Sequence, residues 1–290
     1  MRGNAKGPLM IAATAILWSF GGLLIKLIPW DAMTIVGVRS LIAGIVMAIY
    51  MRRPRISMTR SVILGGVCMA GTTILFVFAN KLTSAANAIV LQYVSPIFVL
   101  IFSALFFGKR FRAFDITAVV VVFFGIALFF FDGLEPGVML GNILAVLAGV
   151  CFAGVFLVNQ MKGAKPEEAL LLGHIINAAV GIPFAVTNVT FEPGPWLYIV
   201  LLGVFQLGIA YVLFSIGIKH TPPVAASLIA ALEPLLNPIW VLLITGEKPG
   251  LFALIAGVVV IVTIVLYSIR SAKRKAEPAP LLTTADALRE

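Results

Sequence analysis

Hydrophobic residues run along this chain in long stretches that are interrupted only by short polar segments. Each stretch is close to the ~20 apolar residues that an α-helix needs to cross the hydrocarbon core of a bilayer. The pattern predicts an all-α integral membrane protein with ten transmembrane helices, joined by loops of a few residues. The predicted spans are 8–28, 33–51, 61–80, 84–107, 115–131, 138–160, 168–189, 195–218, 222–245 and 251–269.

Composition excludes the soluble classes of protein. Of the 290 residues, 61% are hydrophobic and 11% are charged, whereas a soluble domain has roughly 45–50% apolar and about 25% charged residues. Too little polar material remains to cover a surface in water. A soluble enzyme, a disordered chain and a disulfide scaffold are therefore excluded. The two cysteines, Cys68 and Cys151, fall inside predicted spans, where a free cysteine packs as a small hydrophobe.

The positive charges predict the orientation of the chain. If the N-terminus is inside, 17 Lys and Arg residues fall on the inner side, and only Lys26, Lys81 and Lys248 fall on the outer side. This asymmetry follows the positive-inside rule and places both termini inside. Topology and anionic lipid headgroups thus account for the net charge of +9 without a nucleic-acid partner. The segment 270–290 is predicted to be a basic, disordered cytoplasmic tail.

The chain contains a weak internal repeat at an offset of 138 residues. Between 81–110 and 219–248 there are seven identities in 30 positions, among them Pro96 with Pro234 and Gly108 with Gly246. The two halves, 1–137 and 138–269, have five predicted spans each. Because five is odd, the second half must cross the membrane in the opposite sense. Inverted repeats are the architecture of secondary transporters, with the substrate site near the midplane between the repeats.

Several short motifs resemble the drug/metabolite transporter superfamily, in its ten-helix branch with two EamA-type repeats. Helix 1 carries Ile16-Leu17-Trp18-Ser19-Phe20-Gly21 and Lys26, and helix 2 carries Arg39. Helix 9 reads Leu232-Glu233-Pro234-Leu235-Leu236-Asn237-Pro238 and closes with Thr245-Gly246-Glu247. The first repeat closes with Phe107-Gly108-Lys109-Arg110, where Lys109 departs from the usual Gly-Glu pair.

Within this superfamily the chain is most similar to the YddG-type amino-acid exporters. The resemblance implies export of small metabolites, in the first place neutral or aromatic amino acids, across a bacterial inner (plasma) membrane. The alternative on the same fold is a carrier or exchanger of another solute, such as a drug-like cation or a different metabolite. The expected partners are a small-molecule substrate, the lipid bilayer and protons.

Enzyme chemistry is not expected from the residues at membrane depth. The sequence has no His-Glu-x-x-His, Gly-x-Ser-x-Gly or Cys-x-x-Cys motif and no Walker A loop, and its two histidines are His174 and His220. A nucleophile with a base, or a set of metal ligands, would need more such groups than these. No catalytic residue, metal site or cofactor is therefore predicted.

Two charged residues at membrane depth are the foremost candidates for function, because a charge there is costly. Arg39 lies about 10 Å into helix 2 at 1.5 Å per residue. It is either a contact for a substrate carboxylate or a gate, or a structural residue that bonds helix-end carbonyl groups. Glu233 lies near the middle of helix 9. It is either a proton-coupling carboxylate or a group that satisfies backbone freed by Pro234 and Pro238.

The remaining candidates are polar or aromatic residues at mid-span, since a cavity for a zwitterion needs hydrogen-bonding groups at one end and an apolar wall at the other. Interhelical hydrogen bonding is the alternative role for the amides among them. His174 is a second candidate for proton coupling. The predicted substrate-binding or gating residues, besides Arg39 and Glu233, are Trp18, Asn87, Gln92, Tyr93, Ser95, Gln206 and Tyr211.

Overall fold

A computed structural model describes residues 6–83, 85–129, 139–190, 192–236 and 251–276. Within these ranges the chain forms α-helices joined by short connections, and no strand occurs in them. A 3₁₀ turn, Val158–Gln160, follows α8, and a π-helical segment, Leu202–Ile209, joins α10 to α11. The helices are α1 Lys6–Trp18, α2 Gly21–Leu27, α3 Ala32–Met51, α4 Arg60–Leu82, α5 Ala85–Gln92, α6 Ser95–Phe107, α7 Ala113–Phe129, α8 Met139–Leu157, α9 Pro166–Asn188, α10 Pro193–Leu201, α11 Ala210–Ile218, α12 Pro223–Ala230 and α13 Leu251–Ala276.

The described helices agree with a multi-span membrane protein. Seven helical stretches are long and apolar enough to cross a membrane, and they overlap seven of the predicted spans. Shorter apolar helices, Ala113–Leu128, Pro223–Leu236 and Ile255–Tyr267, coincide with the other three. Helix α13 continues to Ala276, so the first seven residues of the segment expected to form a disordered tail are helical.

The surface of the bundle is apolar, unlike that of a soluble protein, and some strongly polar side chains are buried. Large apolar side chains point outward along most of the helices; Phe106, for example, is 73% exposed and Val186 is 84% exposed. In contrast, Arg39, His174 and Asn177 are buried inside the bundle. An apolar exterior of this kind suits contact with lipid tails, while polar groups in the interior can face one another or a cavity.

Four of the spans are irregular near their middle. The first is interrupted between α1 and α2, where Gly21 and Gly22 are poor helix formers. Pro96 follows the break between α5 and α6, and Pro234 follows the break after α12. Because proline has no N–H, it removes the helical hydrogen bond to the carbonyl four residues earlier. The fourth irregularity is the π-helical segment, which adds a residue to its turns.

Helices α3, α4, α8 and α9 form the centre of the bundle, with α3 packed along α9 and α4 packed against both α8 and α9. Gly37 of α3 and Gly181 of α9 touch so closely that a Cβ on either would overlap the backbone of the other. Glycine at such a point lets two membrane helices approach each other. Of these four helices, α3 and α4 belong to the first half of the chain, 6–129, and α8 and α9 belong to the second half, 139–276.

Loops that the sequence assigns to the same side of the membrane meet at the same end of the bundle. At one end, here called the Trp30 end, Trp30 Nε1 donates to Thr190 Oγ1 at 3.0 Å. At the other, the Glu168 end, the backbone N–H of Ser57 donates to Glu168 Oε2 at 2.6 Å. The Gly7 backbone approaches Thr221 at the Glu168 end as well.

Part of the sequence argument falls outside the described residues. The Asn237-Pro238 and Thr245-Gly246-Glu247 elements of the helix 9 motif are among them, as is Lys248. So is residue range 277–290 of the predicted tail.

Candidate functional site

A cavity lies between the two halves of the chain, near the middle of the helices. Its volume is about 30 Å³, so the side chains that line it lie close together. The first half contributes side chains from α1, α3, α4 and α5, and the second half contributes the others. The lining residues are Trp18, Arg39, Thr72, Thr73, Phe76 and Gln92 from the first half, and Phe152, Gln206, Leu207, Tyr211 and Glu233 from the second.

The four irregular spans all deliver side chains to this cavity. Trp18 is the last residue of α1, Gln92 is the last residue of α5, and Gln206 lies in the π-helical segment. Glu233 follows directly after the break at the end of α12. Non-helical backbone at membrane depth is tolerated where it lines a cavity or is buried in protein. The breaks therefore mark the cavity as a built feature of the fold.

Arg39 places a buried cation in the cavity wall. Its side chain is 2% exposed, and among the described residues Nε and one terminal nitrogen, Nη1, have no hydrogen-bond acceptor. The described residues likewise give it no carboxylate within ion-pair distance. A guanidinium with open donors is suited to bind a planar anion such as a carboxylate, in a bidentate manner.

Glu233 supplies the acid of the cavity and is joined to Tyr93. The Tyr93 hydroxyl oxygen lies 2.7 Å from Glu233 Oε2 and 2.8 Å from the carbonyl oxygen of Ala230. Tyr93 does not line the cavity itself; it lies 1% exposed behind Glu233. Within the described chain, no Lys, Arg or His forms an ion pair with Glu233.

Aromatic rings form one wall of the cavity. The indole of Trp18 packs against Phe152, Tyr211 and Phe214, with ring centroids 5.4, 5.2 and 5.6 Å apart. Phe152 in turn contacts Phe156 at 4.7 Å. Contacts at these distances and tilted angles hold the rings in place and present an apolar surface to the cavity.

Two amides complete the polar part of the lining. Oε1 of Gln92 and Oε1 of Gln206 have no hydrogen-bond donor among the described residues. The Gln206 side chain lies against Gly21, where a Cβ would collide with its amide. Buried amide oxygens without partners are costly, so a ligand or water that donates hydrogen bonds would be stabilised here.

Six of the predicted site residues line the cavity: Trp18, Arg39, Gln92, Gln206, Tyr211 and Glu233. Asn87 lies elsewhere, because its amide contacts Thr83 and Asn142 at the Trp30 end. Ser95 is fully buried at the start of α6 and does not reach the cavity.

His174 lies outside the cavity as well. It borders a separate, mainly apolar recess between α3 and α9, together with Ser40 and Gly44. The centroid of its ring is 5.5 Å from that of Tyr211, which lines the cavity. It is thus a neighbour of the cavity wall and not a lining residue.

Sequence reasoning missed five lining residues: Thr72, Thr73, Phe76, Phe152 and Leu207. Each looks like an ordinary member of an apolar helix. The repeat carried a usable signal for one of them, since an offset of 138 pairs Thr73 with Tyr211. The described residues contain no group of three or more His, Cys, Asp or Glu side chains that could hold a metal ion.

Comparison with known proteins agrees with these features. An uncharacterized transporter YxxF of Bacillus subtilis is 24% identical over 65% of this chain, and the match spans 63% of that protein, less than two thirds of its length. The aromatic amino acid exporter YddG of Ancylobacter novellus is 27% identical over 49% of this chain and 52% of its own. The pseudopaline exporter CntI of Pseudomonas aeruginosa is 22% identical over 82% of this chain and 86% of its own.

The family model gives the firmest assignment. It is described as the EamA-like transporter family, and it matches residues 5–131 and again residues 139–269. With its apolar helices and bacterial relatives, the protein is a multi-pass protein of the inner membrane. The chain belongs to the EamA-like transporter family.

Proposed function

We propose that this protein is a secondary transporter that exports small metabolites, foremost neutral and aromatic amino acids. The observation that carries the proposal is the cavity between the halves, in which Arg39 and Glu233 supply opposite charges beside an aromatic wall. A zwitterion needs both charges, and an apolar side chain needs the wall. The name of the YddG relative points to the same class of solute.

Each part of an amino acid has a matching group in the cavity. The carboxylate would accept hydrogen bonds from the open donors of Arg39. The ammonium would donate to Glu233 and to the amide oxygens of Gln92 and Gln206. The side chain would rest on the rings of Trp18 and Phe152.

We also propose that ten transmembrane helices form two inverted repeats, with both termini inside, and that transport proceeds by alternating access. Three observations support this: the family model matches each half separately, prolines 96 and 234 follow equivalent breaks, and Thr73 and Tyr211 line one cavity from equivalent positions. Rocking of the halves would open the Trp30 end and the Glu168 end in turn.

A carrier for another solute is the second candidate. In this alternative, Glu233 would hold an organic cation and Arg39 would serve as a structural group or gate. The observations that favour it are the absence of an ion-pair partner for Glu233 among the described residues and a relative named for export of pseudopaline.

Efflux from proteoliposomes distinguishes amino-acid export from transport of another solute. Vesicles containing the purified protein would be loaded with labelled phenylalanine, leucine or a lipophilic organic cation, and protein-free vesicles would give the background. Amino-acid efflux above that background is expected. In Arg39→Gln, loss of a charged hydrogen bond of about 1.5–3 kcal/mol should raise the half-saturating amino-acid concentration by roughly tenfold to a hundredfold.

The matched control is Arg110→Gln, which removes a cation from an exposed loop and should leave efflux unchanged. Movement of the organic cation alone, with equal rates in wild type and Arg39→Gln, would replace the amino-acid proposal by the alternative.

A further inference from the structure

The break after α12 exposes a backbone carbonyl that the other half of the chain satisfies. Pro234 has no N–H, so the carbonyl of Ala230, four residues earlier, loses its helical donor. Ala230 is fully buried, where an unpaired carbonyl would be costly. The Tyr93 hydroxyl, 2.8 Å away, supplies the missing donor from α5–α6 of the first half.

The Tyr93 hydroxyl also contacts the Glu233 carboxyl, and the number of protons on the two groups decides whether both of its hydrogen bonds can form at once. Tyr93 carries one O–H and can donate once, whereas a carbonyl oxygen can only accept. Both of its contacts, 2.8 Å to Ala230 and 2.7 Å to Glu233, have the usual length of a full O–H···O bond. Both bonds form together when the Glu233 carboxyl carries a proton and donates it to the Tyr93 oxygen.

We propose that Glu233, Tyr93 and the Ala230 carbonyl form one proton-binding site that joins the two halves of the transporter. With the proton bound, Glu233 donates to Tyr93 and Tyr93 donates to Ala230. When the proton leaves to the cavity, the Tyr93 O–H turns to the carboxylate, and the Ala230 carbonyl loses its donor. The two hydrogen bonds between the halves are then replaced by one charge-assisted bond, and Glu233 faces the cavity with a negative charge.

This inference rests on the proposed function and adds a coupling ion to it. A substrate ammonium and a proton compete for the same carboxyl, so the site can exchange one for the other across the membrane. Among the described residues, the other titratable or charged groups that line the same cavity as Glu233 are Tyr211 on α11 and Arg39 on α3. Tyr93 acts through Glu233 and is therefore a positioning residue.

The equivalent break in the first half has no such site. An offset of 138 pairs Glu233 with Ser95, Tyr93 with Ala231 and Pro234 with Pro96. Pro96 frees the carbonyl of Gln92, which lies against Gly149 of α8 so closely that a Cβ there would clash with it. Among the described residues neither an acid nor a tyrosine takes part there, so the proposal places proton binding at one of the two breaks.

Infrared difference spectroscopy tests the site without any knowledge of the substrate. Purified protein in lipid nanodiscs would be titrated with pH, and the carbonyl stretch of protonated carboxyl groups would be followed. One band should disappear as pH rises, be missing in Glu233→Gln, and be shifted in Tyr93→Phe, which keeps the ring and loses the hydroxyl. Tyr198→Phe, a change in α10 away from the cavity, should leave the band unchanged.

An unshifted band in Tyr93→Phe, or no band lost in Glu233→Gln, would overturn the proposal. Thermal unfolding of each variant would be recorded alongside, and Glu233→Gln provides a second variant that keeps a neutral donor next to Tyr93 if Tyr93→Phe fails to fold.

The transport readout is the pH profile of efflux for whichever solute the wild type moves. Wild-type efflux should depend on pH, and both Glu233→Gln and Tyr93→Phe should lose that dependence, whereas Tyr198→Phe should retain it. A Tyr93→Phe profile that matches the wild type would contradict the role of Tyr93. If the infrared band behaves as expected and amino acids do not move, the proposed substrate is wrong and the proton site stands.

Discussion

The two ends of the bundle are stabilised by different kinds of interaction. At the Glu168 end, a buried carboxylate accepts hydrogen bonds from the Ser57 backbone at 2.6 Å, the Ser57 hydroxyl at 2.5 Å and the Lys165 ammonium at 2.8 Å. An ion pair between Lys219 and Glu167 at 2.8 Å lies beside it. Anionic acceptors therefore fasten this end, at the beginning of α9, where the helix dipole also favours negative charge.

The Trp30 end uses neutral acceptors instead. The indoles of Trp30 and Trp196 donate to the hydroxyl and the carbonyl of Thr190, both at 3.0 Å, and their rings meet edge to face at 5.4 Å. Lys26 donates to the carbonyl of Thr83, and Lys81 donates to the carbonyl of Ile28. The two lysines thus bind the carbonyl groups that end each other's helices.

Because the two ends use different interactions, they should respond to different perturbations. Charge, salt and carboxylate substitutions should act on the Glu168 end, and loss of single hydrogen-bond donors should act on the Trp30 end. Four changes test the comparison, and their expected effects decrease in the order given.

Glu168→Gln should have the largest effect. Three donors lose an anionic acceptor, and hydrogen bonds to charged groups contribute about 1.5–3 kcal/mol, so we expect a loss of about 2–3 kcal/mol in the free energy of unfolding. The free energy of unfolding would be measured for the protein in lipid nanodiscs. Glu167→Gln is the control, because its ion pair is partly exposed and is worth less than about 1 kcal/mol. Equal losses in the two variants would contradict the special role of Glu168.

Trp30→Phe should cause the second-largest loss in the free energy of unfolding. The ring contact with Trp196 remains, but Thr190 loses one donor, for which a loss of about 1 kcal/mol is expected. Trp196→Phe removes the more exposed of the two indole bonds and should have a smaller effect in the same unfolding assay. A larger loss in the free energy of unfolding for Trp196→Phe than for Trp30→Phe would contradict this comparison.

Lys81→Met should reduce the free energy of unfolding by about 0.3–1 kcal/mol, since a cation at a helix C-terminus contributes that much. Lys26→Met should have a similar or smaller effect, because its bond to Thr83 is longer, 3.0 Å against 2.7 Å. Lys6→Met, an exposed lysine at the start of α1, serves as the control, and an effect of Lys6→Met as large as that of Lys81→Met would refute the capping role.

Salt should produce the smallest effect. Raising the ionic strength from about 0.1 M to about 1 M shortens the Debye length from ~10 Å to ~3 Å, which should weaken the exposed Lys219–Glu167 pair by less than about 0.5 kcal/mol. The shift would be read as the difference in unfolding midpoint between wild type and Glu167→Gln at the two salt concentrations. Identical salt responses in both proteins would mean that this pair adds nothing to the stability of the Glu168 end.

Some of the residues that line the cavity are unusual at membrane depth because of their charge or ring size, and the sequence alone makes them candidates. Arg39, Glu233 and Trp18 belong to this group, because a charge or an indole at mid-span needs a reason to be there. Polarity alone was a poorer guide, because Asn87 bonds to Thr83 at the Trp30 end and His174 borders the recess between α3 and α9. Thr72 and Phe152 are ordinary residues for an apolar helix and nevertheless line the cavity.

The sequence by itself determined that this is a membrane protein, where its apolar spans lie and which polar residues have to be accommodated inside them. The length of a span and the cost of a buried charge are properties of single segments in a bilayer. Only the tertiary structure decided which of those residues meet. These helices are apolar on nearly every face, so the sequence does not fix how each helix is rotated about its axis. That rotation follows from close contacts such as that of Gly37 with Gly181. It follows also from the breaks at Pro96 and Pro234, beside which Gln92, Tyr93 and Glu233 come together across the two halves.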